Sequence, residues 1–164
     1  MEPFFKGPFR KCALGEADVR DVILPFLEGW NWKGTVDGLL AYWFAIDSSI
    51  DDRLIKHVRE LRAKNIRCLI ATDNDRRRTE YLWNTLGLLS EFDGIFSSSH
   101  LGCVKGDQEF WQSVWPTLRE KEKSSVLFWD DDPKNVEAAR RFGFSAELYT
   151  DFDSYRIKMT KLLG

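Results

Sequence analysis

Four short apolar runs separated by helical segments predict an α/β protein, a three-layer arrangement of parallel sheet with helices on both faces. Three observations carry that reading. From Ser48 onward the pattern alternates between helix and strand. The runs Ile66–Ala71, Gly94–Ser97, Val126–Trp129 and Ala146–Tyr149 have the length and composition of buried strands. Residues 1–45 hold no strand candidate at all. The expected division is therefore a helical segment with an irregular start over residues 1–45, and an α/β core over residues 46–164.

Taken in order, Met1–Leu14 contains Pro3, Gly7 and Pro8 and is expected to be loop. Gly15–Leu27 reads as an amphipathic helix interrupted by Pro25, and Thr35–Ala45 as a second helix with one apolar face. Ser48 or Ser49 caps a helix whose first turn holds Asp51 and Asp52 and whose apolar stripe is Leu54, Val58 and Leu61. After the first strand, Arg76–Leu86 is a helix closed by Gly87. Asp107 opens a helix through Phe110, Trp111, Val114 and Leu118. Pro133 marks the first turn of a helix that Gly143 ends, and Phe152–Leu163 is the last helix.

Composition narrows the function classes. The 164 residues are 43% hydrophobic and 30% charged, ordinary for a globular domain. A net charge of −2 gives no reason to expect nucleic acid or an acidic membrane as partner. The run Arg76–Arg78 reads as a solvated helix face. Three widely spaced cysteines, Cys12, Cys68 and Cys103, form no disulfide framework or zinc pattern, and Cys68 reads as core. With no signal-peptide pattern and no membrane-length apolar stretch, the cytoplasm is the expected compartment. Seven tryptophans and twelve phenylalanines imply either a large aromatic core or an apolar surface that needs a partner.

Three strand ends carry polar residues, and in open α/β sheets that edge is where ligands bind. Thr72-Asp73-Asn74 offers a hydroxyl and an amide that suit a phosphate oxygen, or else an ordinary Thr or Asx cap. Lys105 lies in a Gly-flanked loop, where a lysine alone is usually just exposed. Asp130, Asp131 and Asp132 end the third strand. Three adjacent carboxylates favour a cation, and hard oxygen ligands suit Mg²⁺; an acidic helix cap is the alternative.

In this order and spacing the three resemble the haloacid dehalogenase-like (HAD) hydrolase superfamily, most closely its small-helical-cap members, from about Phe44 to Tyr149. The resemblance makes Cys68–Asn74 the second motif, with Thr72 the hydroxyl that binds the transferring phosphoryl group and Asp73 and Asn74 beside it. It makes Lys105 the third-motif lysine, which steadies the charges of nucleophile and phosphate, although Gly106 replaces the usual proline. Trp129–Val136 matches the fourth motif in its paired-aspartate form, with Asp131 the main Mg²⁺ ligand, Asp130 a second, and Asn135 supporting. Residues 1–45 would then be the cap-like segment, and the substrate a small phosphorylated molecule.

The family's first motif departs from this pattern. It is an apolar strand ending Asp-x-Asp, whose first aspartate attacks phosphorus and whose second is acid and base. Ahead of Thr72 no such strand occurs. Asp73-Asn-Asp75 has the spacing, but placing it as the first motif leaves no room for a second before Lys105, and Arg77 stands where the family has Thr or Val. The expectation is an N-terminally shortened HAD hydrolase, by cloning, start-site choice or gene loss, and inactive as given. Without the central motif-one strand, four strands would form two pairs with open inner edges. Residues 1–14, a rejoined sheet or another chain would have to fill the gap, and Pro3 and Pro8 make the first poor strand material. Mg²⁺ would bind weakly or not at all unless the missing ligand were supplied. A non-catalytic HAD fold that binds a protein, as a homodimer or with a strand-complementing partner, is the second expectation. A dehalogenase is a third, and needs the same absent aspartate.

Overall fold

The computed structural model describes residues 2–163, which divide into two compact units, Met1–Val104 and Lys105–Gly164. The first unit opens with α1 (Glu2–Lys6), α2 (Phe9–Ala13), α3 (Val19–Ile23), a 3₁₀ turn at Leu24–Phe26 and α4 (Val36–Ile46). It continues with α5 (Asp52–Ala63), β1 (Ile70–Thr72), α6 (Arg76–Glu80) extended by a π turn at Tyr81–Thr85, α7 (Leu88–Glu91), β2 (Ile95–Ser97) and α8 (Ser98–Leu101). The second unit holds α9 (Gln108–Leu118), a 3₁₀ turn at Lys123–Ser125, β3 (Leu127–Asp130), α10 (Pro133–Phe142), β4 (Ser145–Leu148) and α11 (Phe152–Leu163).

All four expected strands are present, as two parallel pairs. β1 pairs with β2 in the register Ile70↔Ile95, Ala71↔Phe96, Thr72↔Ser97. β3 pairs with β4 from Leu127↔Ser145 to Asp130↔Leu148. Among the described residues neither β1 nor β3 has a second strand neighbour. Residues 2–14, one candidate to supply a strand, are mostly helical.

That last point corrects the expected N-terminal loop. Pro3 falls in the first turn of α1, where its missing N–H costs nothing, and Pro8 sits at the cap of α2. Aromatic packing then fixes both short helices: Phe4 is 1% exposed and meets Phe26 and Trp30 edge-on with ring centroids 5.4 and 5.6 Å away. Cys12, Val19, Ile23, Val36, Leu39, Leu40 and Phe44 complete this core. Of the aromatic residues in this stretch Phe4 and Phe44 are buried, Phe9, Phe26, Trp30, Trp32 and Trp43 pack half-buried against them, and Phe5 and Tyr42 are exposed.

Other boundaries move for local reasons. Gly15 takes φ +73°, so the helix expected from Gly15 begins only after Asp18, whose carboxylate accepts from Arg20 N at 2.9 Å. Asp51, not Ser48 or Ser49, caps α5, because the Ser48 hydroxyl donates instead to the Phe44 carbonyl at 2.6 Å. The first strand shortens to Ile70–Thr72: the Cys68 N–H donates to Asp93 Oδ2 at 2.8 Å rather than to a ladder. That bond, with Arg62, holds the Asp93 carboxyl below the usual range. Arg78 is 5% exposed rather than solvated, and its guanidinium donates to the Phe44 and Asp47 carbonyls at the end of α4. By contrast α10 and α11 keep the bounds the sequence predicts, with Gly143 at φ +107° closing α10.

Candidate functional site

The second unit builds a charged turn at the end of β3. Asp130 is the last strand residue, and its side chain is 5% exposed. The Lys105 side chain is 13% exposed, and its ammonium donates to Asp130 Oδ2 at 2.6 Å. The other oxygen, Oδ1, accepts from Asn135 Nδ2 at 3.0 Å and from the Asp132 backbone N–H at 2.9 Å. These donors offset the cost of burying the Asp130 carboxylate. The cage is held from outside as well. Trp111, edge-on to Phe128 at 4.7 Å, donates its indole N–H to the Lys105 carbonyl at 2.9 Å. Gln108 ties α9 to the Ala138 carbonyl of α10 at 2.9 Å. At Gly106 a β-carbon would lie 3.8 Å from Asn135 Oδ1, so the departure from proline is not forced by crowding.

Asp132 is the cap of α10, accepting from Lys134 N at 2.8 Å. Asp131 is exposed and takes no part in the cage. The acidic triplet therefore divides into a buried ion-pair partner, an open carboxylate and a helix cap. Among the described residues no group of three or more His, Cys, Asp or Glu is placed to hold a metal. With both oxygens of Asp130 engaged, Asp131 is the carboxylate available to a cation, so the donor set fits a mostly hydrated Mg²⁺ and not a closed cage.

In the first unit the turn after β1 has a different character. Thr72 ends the strand, and its Oγ1 accepts from Asn74 Nδ2 at 2.6 Å. The cap of α6 is Asp75, whose Oδ1 accepts from Arg77 N at 2.9 Å and Arg78 N at 3.1 Å. This leaves Thr72 and Asn74 free of capping. Asp73, beside them, is half-buried. Asp75 is 1% exposed and its Oδ2 has no hydrogen-bond partner, so burial raises its pKa above the usual 3.8. Sequence reasoning missed the buried hydroxyls behind this turn: Ser97 Oγ lies 2.8 Å from both Thr79 Oγ1 and Ser99 Oγ. Their signal was the triplet Ser97–Ser99 directly after an apolar strand.

A cleft of roughly 200 Å³ in the same unit lies between Gly15–Val19 and Asp75–Arg77. Asp18 and Arg77 pair there through two 2.6 Å bonds, which hold the Asp18 carboxyl below its usual range. Gly15 is required here, because a β-carbon would fall 2.0 Å from the Ser99 carbonyl oxygen. No helix of the described residues is long and apolar enough to cross a membrane.

Comparison with known proteins bears on the family and the fold. The chain is 28% identical over 120 residues to the sesquiterpene phosphatase astK of Aspergillus oryzae, a match covering 70% of this chain and 58% of that protein. The chain thus spans little more than half of that relative. Its fold superposes on a HAD family enzyme of Bacteroides thetaiotaomicron, solved with magnesium and inorganic phosphate, with TM-score 0.79, 16% identity, and coverage of 94% of this chain and 83% of that one. A HAD-like family hydrolase of Porphyromonas gingivalis gives TM-score 0.77 at 20% identity, covering 96% and 79%. At such identities these two show the fold, α/β with parallel strands. The sequence profile of haloacid dehalogenase-like hydrolases matches residues 27–143, and to that family the chain belongs.

Proposed function

We propose that this chain carries the phosphoryl-binding and charge-balancing parts of a Mg²⁺-dependent phosphatase acting on a small phosphorylated substrate. The observation that supports it best is the buried pair Lys105–Asp130 with Asn135 on the remaining oxygen, made by the residues of the third and fourth family motifs. The similarity to a phosphatase supports the reaction class. In this reading the Thr72 hydroxyl donates to a phosphoryl oxygen, and Lys105, held by Asp130, offsets the negative charge of substrate and nucleophile. Asp131 holds Mg²⁺, which when bound would draw charge from the phosphoryl oxygens.

Ahead of Thr72 no aspartate follows the first-motif pattern, and Asp73-Asn-Asp75 leaves no room for a second motif before Lys105, so in this reading the chain offers no group to form an aspartyl phosphate. We infer that it binds phosphate and does not turn over. Titration calorimetry with inorganic phosphate in the presence of Mg²⁺ tests the binding half. Thr72→Val is expected to weaken phosphate roughly tenfold without lowering the melting temperature. Equal affinity in wild type and Thr72→Val would remove the reading.

A second reading is supported by the single strand neighbour of β1 and of β3 among the described residues. There the chain is a non-catalytic module that takes a strand from a partner or pairs with its own copy. A defined dimer in light scattering, with no Mg²⁺ effect on melting, would favour it.

A further inference from the structure

We propose that Asn74 is a positioning residue for the Thr72 hydroxyl, held in place by the buried hydroxyls of Thr79, Ser97 and Ser99. The proposal rests on the phosphoryl-binding reading of Thr72. A threonine hydroxyl has one proton to give and two lone pairs to accept with, whereas an amide nitrogen only donates. Asn74 Nδ2 lies 2.6 Å from Thr72 Oγ1, so it fills one lone pair of that oxygen. The hydroxyl proton is thereby left to point elsewhere, and at a strand end an anionic oxygen is its best acceptor. Asn74 thus acts on the anion through Thr72, by fixing which way the hydroxyl donates.

Asn74 is itself anchored from behind. Its backbone carbonyl accepts from Ser97 Oγ at 3.1 Å, and Ser97 is the register partner of Thr72 in the β1–β2 ladder. Thr79 gives its only proton to the Asp75 carbonyl at 2.8 Å. Ser99 then supplies the proton of its 2.8 Å contact with Ser97, and the Ser97 proton is shared between Asn74 and Thr79. With Thr79, Ser97 and Ser99 at 2%, 0% and 1% exposure, water cannot substitute for any member. The buried hydroxyls thereby fix the backbone at Asn74, from which its side-chain amide reaches Thr72.

The test is an NMR titration with sulfate, a phosphoryl mimic whose charge is constant across the range used, read at the Thr72 and Asn74 amides. Wild type at each pH is the reference, since Asp73 and Asp75 flank the turn. Asn74→Asp is the informative variant. At about pH 7 its carboxylate takes the Thr72 proton, and sulfate should bind roughly tenfold more weakly. At about pH 4, where an ordinary aspartate is about half protonated, the neutral fraction donates again, and affinity should return to within roughly threefold of wild type. Removing the new charge also favours an anion directly, so the recovery must vanish in Thr72→Val/Asn74→Asp; recovery that persists in that double variant overturns the proposal. Asn74→Ala, which keeps the backbone, should lose roughly threefold at both pH values. Wild-type affinity in either variant at pH 7, or no recovery of Asn74→Asp, overturns the proposal while leaving a Thr72→Val loss to support phosphoryl binding. Sulfate binding that Thr72→Val does not weaken overturns both.

Discussion

Asp130, the last residue of β3, and Asp75, the cap of α6, are both buried where a parallel strand passes into a helix, yet they are treated in opposite ways. Asp130, 7% exposed, has donors on both oxygens, one of them a lysine ammonium. Asp75, 1% exposed, has two backbone N–H groups on one oxygen and nothing on the other. A fully compensated carboxylate can be a fixed charge around which a site is built. An under-compensated one is a cap whose charging costs stability. In the proposed function the charge-balancing role falls on the first, and the phosphoryl contact on the neutral Thr72 hydroxyl near the second.

The largest expected effect breaks the compensated side. Lys105→Met removes the ammonium and leaves a buried, unpaired carboxylate, which should destabilise the chain by about 3 kcal/mol in urea unfolding. Asn135→Ala removes one of two donors from Asp130 Oδ1 and should cost about 1–2 kcal/mol by the same measurement.

Asp75 sharpens the contrast through pH. Its folded pKa is raised, so the native state holds the proton more tightly than the unfolded chain. Its contribution is therefore favourable at low pH and is lost as pH rises from the usual 3.8 through the folded value. Asp18 and Asp93 have lowered values and act the other way, losing stability only as pH falls below that range. Asp75→Asn, which still caps α6, should flatten the melting curve against pH above about 4 and leave the acid limb unchanged. An unchanged slope above about pH 4 would show that Asp75 is not held as described.

The smallest effect concerns the open carboxylate. Mg²⁺ should raise the melting temperature of the 164-residue chain by only a degree or two, and Asp131→Ala should abolish that rise without altering the metal-free melting point. A large Mg²⁺ shift that survives Asp131→Ala would place the cation elsewhere.

How much was legible follows from where each contact comes from. The bounds of α10 and α11 could be read because their signals are local: Asp132, Pro133 and Gly143 delimit the first, and Asp151 with Phe152 opens the second. The strands could be read as apolar runs, but β1 shortens because the Asp93 side chain replaces a backbone partner at Cys68. Residues 2–14 were misread because their helices depend on aromatic contacts from Phe26, Trp30 and Trp43, distant in sequence. The Lys105–Asp130 pair spans 25 residues and was reachable only through resemblance. Its consequence, that Asp130 is engaged while Asp131 is open, needed coordinates. So did the hydroxyls behind Thr72, which meet Asn74 through the β1–β2 register.

The most direct test of the central claim is turnover of a generic phosphomonoester such as p-nitrophenyl phosphate by the 164-residue chain with Mg²⁺. The account predicts no phosphate release above buffer, alongside phosphate binding that depends on Thr72. Release that disappears in Asp131→Ala would contradict it, and would mean that a nucleophile acts within these residues.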